Sequence, residues 1–222
     1  MNIGIIGAGH IGGSAARLFA AAGHHGLVSF SRNTSTLQAL AAGIGPNASV
    51  GTPAEAVAFG EVVLFSVPWG AVDEALSQAG SLAGKIVIDT TNQFGRSGLE
   101  APPHGQTVAQ FNARRMPGAR YTKSFNTLTA GFQASTAGRS GPDRVVQWLC
   151  GDDQEAKDVV SGLISDAGFV AVDIGGLNNA SVMEAPRRMG AVYGEEYHLA
   201  DAGAVVEAVR HGQPIPPTPS YL

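Results

Sequence analysis

Residues 2–12 read NIGIIGAGHIG. The first five are a short, almost wholly apolar run that stops at Gly7, the pattern of a buried parallel strand. Behind it, Gly7-Ala8-Gly9-His10-Ile11-Gly12 spells G-x-G-x-x-G. Residues 10–22 then place Ile11, Ala15, Leu18, Phe19 and Ala22 at helical spacing, with Gly23 as a stop. In a chain with 30 glycines the spacing alone carries little. A strand before it and a helix after it carry more. Gly7 permits the tight turn, Gly9 leaves the backbone open to a pyrophosphate, and Gly12 lets helix pack close to strand. The free N–H groups of the helix start, with its dipole, stabilise phosphates. The expectation is a dinucleotide site at Gly7, Ala8, Gly9, His10, Ile11 and Gly12. The alternative is an ordinary strand–helix turn in a glycine-rich protein.

The second strand, residues 26–30, decides which dinucleotide. Sites selective for NAD put an Asp or Glu about 20 residues beyond the glycines, on the ribose 2′-hydroxyl. Here Ser31 and Arg32 follow the strand, with Asn33 as N-cap of a helix over residues 34–42 ended by Gly43. A hydroxyl and a guanidinium bind a 2′-phosphate, which a carboxylate would repel. NADP(H) is therefore expected; the alternative makes Arg32 a plain surface charge.

Outward from there, strand and helix keep alternating. A short helix opens at Thr52-Pro53, residues 61–67 form a central strand stopped by Pro68, residues 69–79 are helical and residues 85–89 are the next strand. Such alternation predicts a mainly parallel, doubly wound α/β sheet with helices on both faces. A polar loop over 91–103 precedes a helix at 106–115. Further strands are expected at 121–125, 145–149 and 169–174, with a helix at 154–167 between the last two. Residues 183–209 read as one or two helices, interrupted near residues 190–194 and at Gly203, before a Pro-rich tail. The division expected is a nucleotide-binding domain over 1–175 and a C-terminal helical segment over 176–222 packed on it.

Composition narrows the function classes. The net charge is −4 and only 14% of residues are charged, which excludes a strongly basic nucleic-acid binder and a disordered chain. One cysteine, Cys150, excludes a disulfide framework and a cysteine-based zinc site within the chain. No apolar run reaches the roughly 18–20 residues that span a bilayer. The chain begins directly as a strand, so no signal peptide is read and a cytoplasmic protein is expected.

Ligands of such sheets bind beyond the carboxyl ends of the strands. Ser66, Val67, Pro68 and Trp69 end the strand over 61–67 and are expected along the ribose and diphosphate; Trp69 reads equally as a core aromatic. Asn92 follows the strand over 85–89. Asn126, Thr127, Leu128 and Ala130 follow the strand over 121–125, on the nicotinamide side. Both asparagines read alternatively as turn residues. No side chain is assigned as catalytic and none as a metal ligand. The histidines, at 10, 24, 25, 104, 198 and 211, read as surface or packing residues. Reducing a carbonyl calls for a proton donor beside the substrate. Hydride transfer to a flavin-type ring calls chiefly for stacking geometry. The missing donor favours the ring.

Further blocks extend along the chain: VLFSVPW (63–69), VIDTTN (87–92), KSFNTL (123–128), CGDDQEAKDVVSGLISDAGF (150–169) and VDIGGLNNASVMEA (172–185). With the glycine loop and Ser31-Arg32 they resemble the F420-dependent NADP oxidoreductases, a family related to the NADPH domains of the STEAP metalloreductases. The resemblance implies a Rossmann domain with a small C-terminal helical part, a homodimer, and hydride exchange between NADP(H) and F420 or a flavin. By position it puts the diphosphate on residues 7–12, the 2′-phosphate on Ser31 and Arg32, and the nicotinamide near residues 126–130. Asp152 and Asp153 read as a strand end and helix cap. Asn178, Asn179 and Glu184 read as structural, or as facing a cleft between subunits. Two alternatives stay open: an NADPH-dependent reductase of a small carbonyl or imine, and a non-enzymatic NADPH-sensing module.

Overall fold

The computed structural model describes residues 1–221. Its first half alternates strictly: β1 (Asn2–Ile6), α1 (His10–Ala21), β2 (His25–Ser29), α2 (Thr34–Ile44), β3 (Ala48–Val50), α3 (Pro53–Phe59), β4 (Val62–Phe65), α4 (Val72–Ala79) and β5 (Ile86–Asp89). A hairpin, β6 (Phe94–Gly95) and β7 (Gly98–Leu99), leads to α5 (Val108–Arg115) and β8 (Arg120–Lys123). Then come α6 (Ala130–Thr136), β9 (Val146–Gly151), α7 (Gln154–Asp166), β10 (Val170–Asp173) and α8 (Leu199–Arg210). Eight strands form one sheet in the order β10-β9-β8-β5-β4-β1-β2-β3. Every pairing is parallel except β8 with β9. β1 lies between β2 and β4, with Ile5 opposite both Val28 and Leu64. The strand order reverses there, which opens a crevice at the carboxyl ends.

Parallel strands need both faces covered, and successive side chains point to opposite faces. Ile6, Val63, Phe65 and Val87 therefore join one buried cluster, and Ile3, Ile5, Leu64 and Ile88 the other. In the second cluster Phe125 stands edge-on to both Phe19 and Phe169, at 5.6 and 6.4 Å. The chain beyond β10 folds back on the first cluster. Leu177, Met183, Val192 and Val205 are buried there, and Tyr197 meets Trp148 edge-on at 5.3 Å. Cys150 is a free thiol buried among them.

The structure departs from the sequence-based expectations at several elements. β3, α6 and the β6–β7 hairpin have no counterpart among those expectations; they are two to seven residues long, too short to show a period. Gly43 lies inside α2, which ends at Gly45, where φ is +91°. Residues 183–209 do not form a long helical pair. A 3₁₀ stretch (Leu177–Met183) precedes an irregular segment, and one helix, α8, follows and runs through Gly203. Pro186, Gly190 and Gly194 interrupt the helical pattern between them.

Helix starts follow the local sequence. Thr52 and Glu55 form a reciprocal capping box on α3, and Thr107 and Gln110 do so on α5. The Glu184 carboxylate caps α5 again, accepting from the N–H groups of Val108 and Ala109 at 2.9 and 2.8 Å. Asp153 caps α7 through Ala156 N–H at 3.0 Å and takes a two-pronged bond from Arg120 at 2.6 and 2.8 Å. The Arg120 bond, helped by the Ala156 N–H, holds the Asp153 carboxyl well below the usual carboxylate range. A carboxyl depressed in the folded state adds stability above its unfolded pKa of about 3.9 and loses it as pH falls below that value. Asp153→Asn keeps a capping oxygen but breaks the ion pair. Urea unfolding should show the variant's deficit in full at neutral pH, shrinking steadily as the solution is acidified below about pH 4. A deficit constant across that range would refute the ion-pair contribution.

Candidate functional site

The glycine loop is shaped by backbone crowding. β1 is stitched on both sides where it ends: Ser66 N–H donates to Ile6 O at 2.8 Å and Gly7 N–H to Ser29 O at 3.0 Å. Gly7 has φ +107°, and a Cβ there would lie 2.1 Å from Ser66 O. A Cβ on Gly12 would lie 2.0 Å from Gly7 O. Both positions are closed to side chains, so α1 starts directly over the end of β1. Gly9 differs: it is the N-cap of α1, it is exposed, and a Cβ there meets nothing within 4 Å. No side chain caps α1, and no acid stands in its first turn. The N–H groups at His10 and Ile11 have no intrahelical partner, and the positive end of the helix dipole faces the crevice. Ala8 and Ile11 are half-buried beside it and His10 is exposed.

At the end of β2, Phe30 takes a left-handed conformation (φ +57°) that turns the chain outward. Ser31 and Arg32 are exposed there. Ser31 Oγ accepts from Asn33 N–H at 3.3 Å, and Asn33 caps α2 through Ser35 N–H at 3.0 Å. Arg32 has no hydrogen-bond or ion-pair partner among the described residues. The first Asp or Glu in the chain is Glu55, so no carboxylate from the first two strand–helix units opposes an anion at this rim.

The carboxyl ends of β4, β5 and β8 form the other wall. Thr90 Oγ1 donates to Ser66 Oγ at 2.9 Å. Val67 is buried in the core and Pro68 is exposed. The Trp69 ring packs on Phe111 at 5.7 Å, with the Arg115 guanidinium 6.0 Å from its centre, so it buttresses α5. Asn92 and Asn126 come together. Asn92 Nδ2 donates to Asn126 O at 2.9 Å, and Asn126 Nδ2 donates to Met183 O at 2.6 Å and Asn92 Oδ1 at 3.3 Å. Their side chains thus bridge separate segments, which is not the turn role. Asn126 Oδ1 and Thr127 Oγ1 are buried without a hydrogen-bond partner among the described residues. A buried polar atom left unpaired costs about 1–3 kcal/mol, so such atoms call for a partner. Leu128 is buried, and Ala130 opens α6 behind the Thr129 cap. A cavity of about 390 Å³ lies beside Leu128, Thr129 and Phe132, bounded by Arg187 and Tyr221.

Sequence reasoning missed what holds this wall. Asp89, fully buried, accepts from Thr91 N–H at 2.7 Å, Thr91 Oγ1 at 3.0 Å, Asn112 Nδ2 at 2.8 Å and the Tyr121 hydroxyl. Lys123, also fully buried, donates to Thr91 O at 2.5 Å and stands 3.9 Å from Asp89. Burial, then the Asp89 charge, push the Tyr121 hydroxyl well above its usual pKa. This network fixes Thr91 and hence Asn92. The signal was an acid ending an otherwise apolar strand, VID. Among the histidines, His24 binds the Met1 amine at 3.2 Å and Asp166 at 3.0 Å, and His198 stacks on Tyr221 at 3.8 Å. No metal-binding group of side chains occurs among the described residues. No helix among them is long and apolar enough to cross a membrane.

A glycine cradle at the sheet's switch point, an uncapped helix start and a facing amide wall define a doubly wound, Rossmann-type dinucleotide-binding fold. Residues 2–93, which carry the glycine loop, match the family model of NADP oxidoreductases, coenzyme F420-dependent. Metalloreductase STEAP3 of Rattus norvegicus is 33% identical over 185 residues, which cover 83% of this chain and 36% of that protein. The chain thus spans about a third of this relative's length. A hypothetical protein of Sinorhizobium meliloti superposes with a TM-score of 0.77 at 26% identity, covering 89% of this chain and 95% of that one. A putative F420-dependent NADP reductase of Arthrobacter sp. superposes with a TM-score of 0.69 at 25% identity, covering 81% and 87%.

Because the space beyond Gly9 is open in the folded chain, Gly9→Val should fold normally and fill the place of a diphosphate. Calorimetry should then detect no NADPH binding while the melting temperature stays near wild type. Retained affinity would show that the loop serves another purpose.

Proposed function

We propose that the protein passes a hydride between NADP(H) and a flavin or deazaflavin acceptor of the F420 type, in the cytoplasm. The observation that carries this reading is the phosphate cradle with Arg32 free at its rim and no carboxylate before Glu55. The first-turn N–H groups of α1 would hold the diphosphate, and Ser31 and Arg32 the 2′-phosphate. Asn126 Oδ1 and Thr127 Oγ1 suit the amide of a nicotinamide, and the Asn92–Asn126 pair fixes their position. When bound, the dinucleotide supplies the hydride and the ring of the co-substrate takes it.

The titratable groups under this wall do not serve a carbonyl substrate. Asp89 and Lys123 are sealed from solvent, Tyr121 nearly so, and the three are bonded within one network. A ring acceptor, which carries its own chemistry, fits that arrangement better than a carbonyl that needs a proton donor. A homodimer through the C-terminal segment belongs to the same reading. It is supported by the exposed side chains of Met189 and Leu199 and is checked by light scattering.

Arg32→Ala should raise the Kd for NADPH about tenfold to a hundredfold, the worth of a charge-assisted bond, and leave NADH nearly unchanged. Equal weakening of both would remove the 2′-phosphate argument. Loss of NADPH absorbance with F420, FMN or FAD, but not with ketones or imines, supports the acceptor class. Turnover of ketones or imines alone replaces it with a carbonyl or imine reductase, and tight NADPH binding without turnover of any acceptor leaves a binding module.

A further inference from the structure

The hairpin β6–β7 rises directly from Asn92. Phe94 N–H donates to Asn92 O at 2.8 Å, and Gln93 Nε2 donates to Ala185 O at 2.8 Å, so the hairpin's base is tied to the amide wall and to the segment after the 3₁₀ stretch. β6 also lies against the Trp69–Ala71 turn that follows β4. The hairpin therefore sits beside the carboxyl ends of β4 and β5, at the edge of the crevice.

Its composition is unusual for such a place. Phe94 and Leu99 are directly paired across the hairpin and so share one face. They are 49% and 45% exposed. Among the described residues the aromatic ring against Phe94 is that of Tyr193, at 6.3 Å and tilted by 47°. Tyr193 is itself held at the site, because the next residue, Gly194, donates its N–H to Thr127 O at 2.8 Å. Segments about 100 residues apart thus converge to prop one aromatic ring, with much of it left bare, and the segment that props it is tied to the Thr127 backbone. Two strands of two residues gain little stability from an exposed phenylalanine. A bare aromatic face suits a flat conjugated ring, which stacks on it in offset fashion.

We infer that Phe94 is the stacking platform for the planar ring of the hydride acceptor, a flavin or deazaflavin, and that Tyr193 is a positioning residue that sets the tilt of Phe94. This deepens the function proposed above and rests on it. It also gives the acceptor's discrimination a physical basis: a tricyclic ring covers Phe94 and reaches Leu99, whereas a small ketone or imine covers neither.

Fluorescence titrations of FMN and F420 against the whole chain, with NADP⁺ present so that no turnover occurs, test the assignment. Phe94→Ala should raise the acceptor Kd about three- to tenfold, the worth of one aromatic pair, with the Kd for NADP⁺ unchanged. Phe94→Trp should keep acceptor affinity, and its added indole emission should be quenched as acceptor binds. Val50→Ala, which trims an exposed apolar side chain on edge strand β3, should change neither Kd. An unaltered acceptor Kd in Phe94→Ala, or no added quenching in Phe94→Trp, overturns the assignment. So does an equal loss of NADP⁺ affinity in Phe94→Ala, which would mark the hairpin as merely structural. If wild type binds NADP⁺ but neither acceptor, the platform and the flavin reading fall together and the nucleotide site stands. If wild type binds an acceptor but not NADP⁺, the nucleotide reading fails and the Phe94 series still decides the platform.

Discussion

The near-contact of three backbones at the end of β1 governs the rest of the molecule. Ser66 O, Gly7 and Gly12 approach so closely that no side chain fits between them. That contact sets where α1 begins, and α1 in turn aims its unpaired amides into the crevice. It also explains why β1 needs a partner on each side. Only a strand flanked by both β2 and β4 presents a crevice with two walls, one ending at Ser31 and Arg32 and the other at Ser66.

The opposite wall is built on another principle. Its upper layer is made of amides and hydroxyls, most of them buried, whereas the charges that anchor it lie beneath. Asp89 gathers four hydrogen bonds and Lys123 closes the loop above it. A buried charge is tolerable only when its partners are complete, and complete partners make a rigid seat. The seat leaves Asn126 Oδ1 and Thr127 Oγ1 buried and without a hydrogen-bond partner among the described residues. Glu184 repeats the pattern on α5, where a buried carboxylate far along the chain caps a helix start and draws the C-terminal segment onto the sheet.

The local signals that sequence reading relies on were strongest where the chain is most repetitive. The apolar runs of β1, β4 and β5 and the capping residues Asn33 and Asp153 were legible because each acts within a few residues of itself. The glycine loop was legible because its neighbours on both sides were. Long-range pairing was not. Nothing local marks β9 as antiparallel to β8, since its burial is the same in either direction. Nothing marks Glu184 as a cap for α5, because its partners lie some 75 residues earlier. The short elements β3 and β6–β7 carry too few residues for a period of two to stand out. Trp69 was ambiguous for a related reason: an aromatic after a strand serves a ligand or a neighbouring helix with the same side chain, and its neighbours Phe111 and Arg115 lie too far along the chain to be read locally.

One buried group has a practical side. The Cys150 thiol is shielded from solvent, and desolvation, the dominant influence on it, pushes its pKa up to about 12. At neutral pH almost none of it is thiolate, the form that attacks peroxides and alkylating reagents. The native thiol is therefore slow to react with maleimides. A cysteine engineered anywhere on its surface can carry a dye or spin label without first removing the resident one.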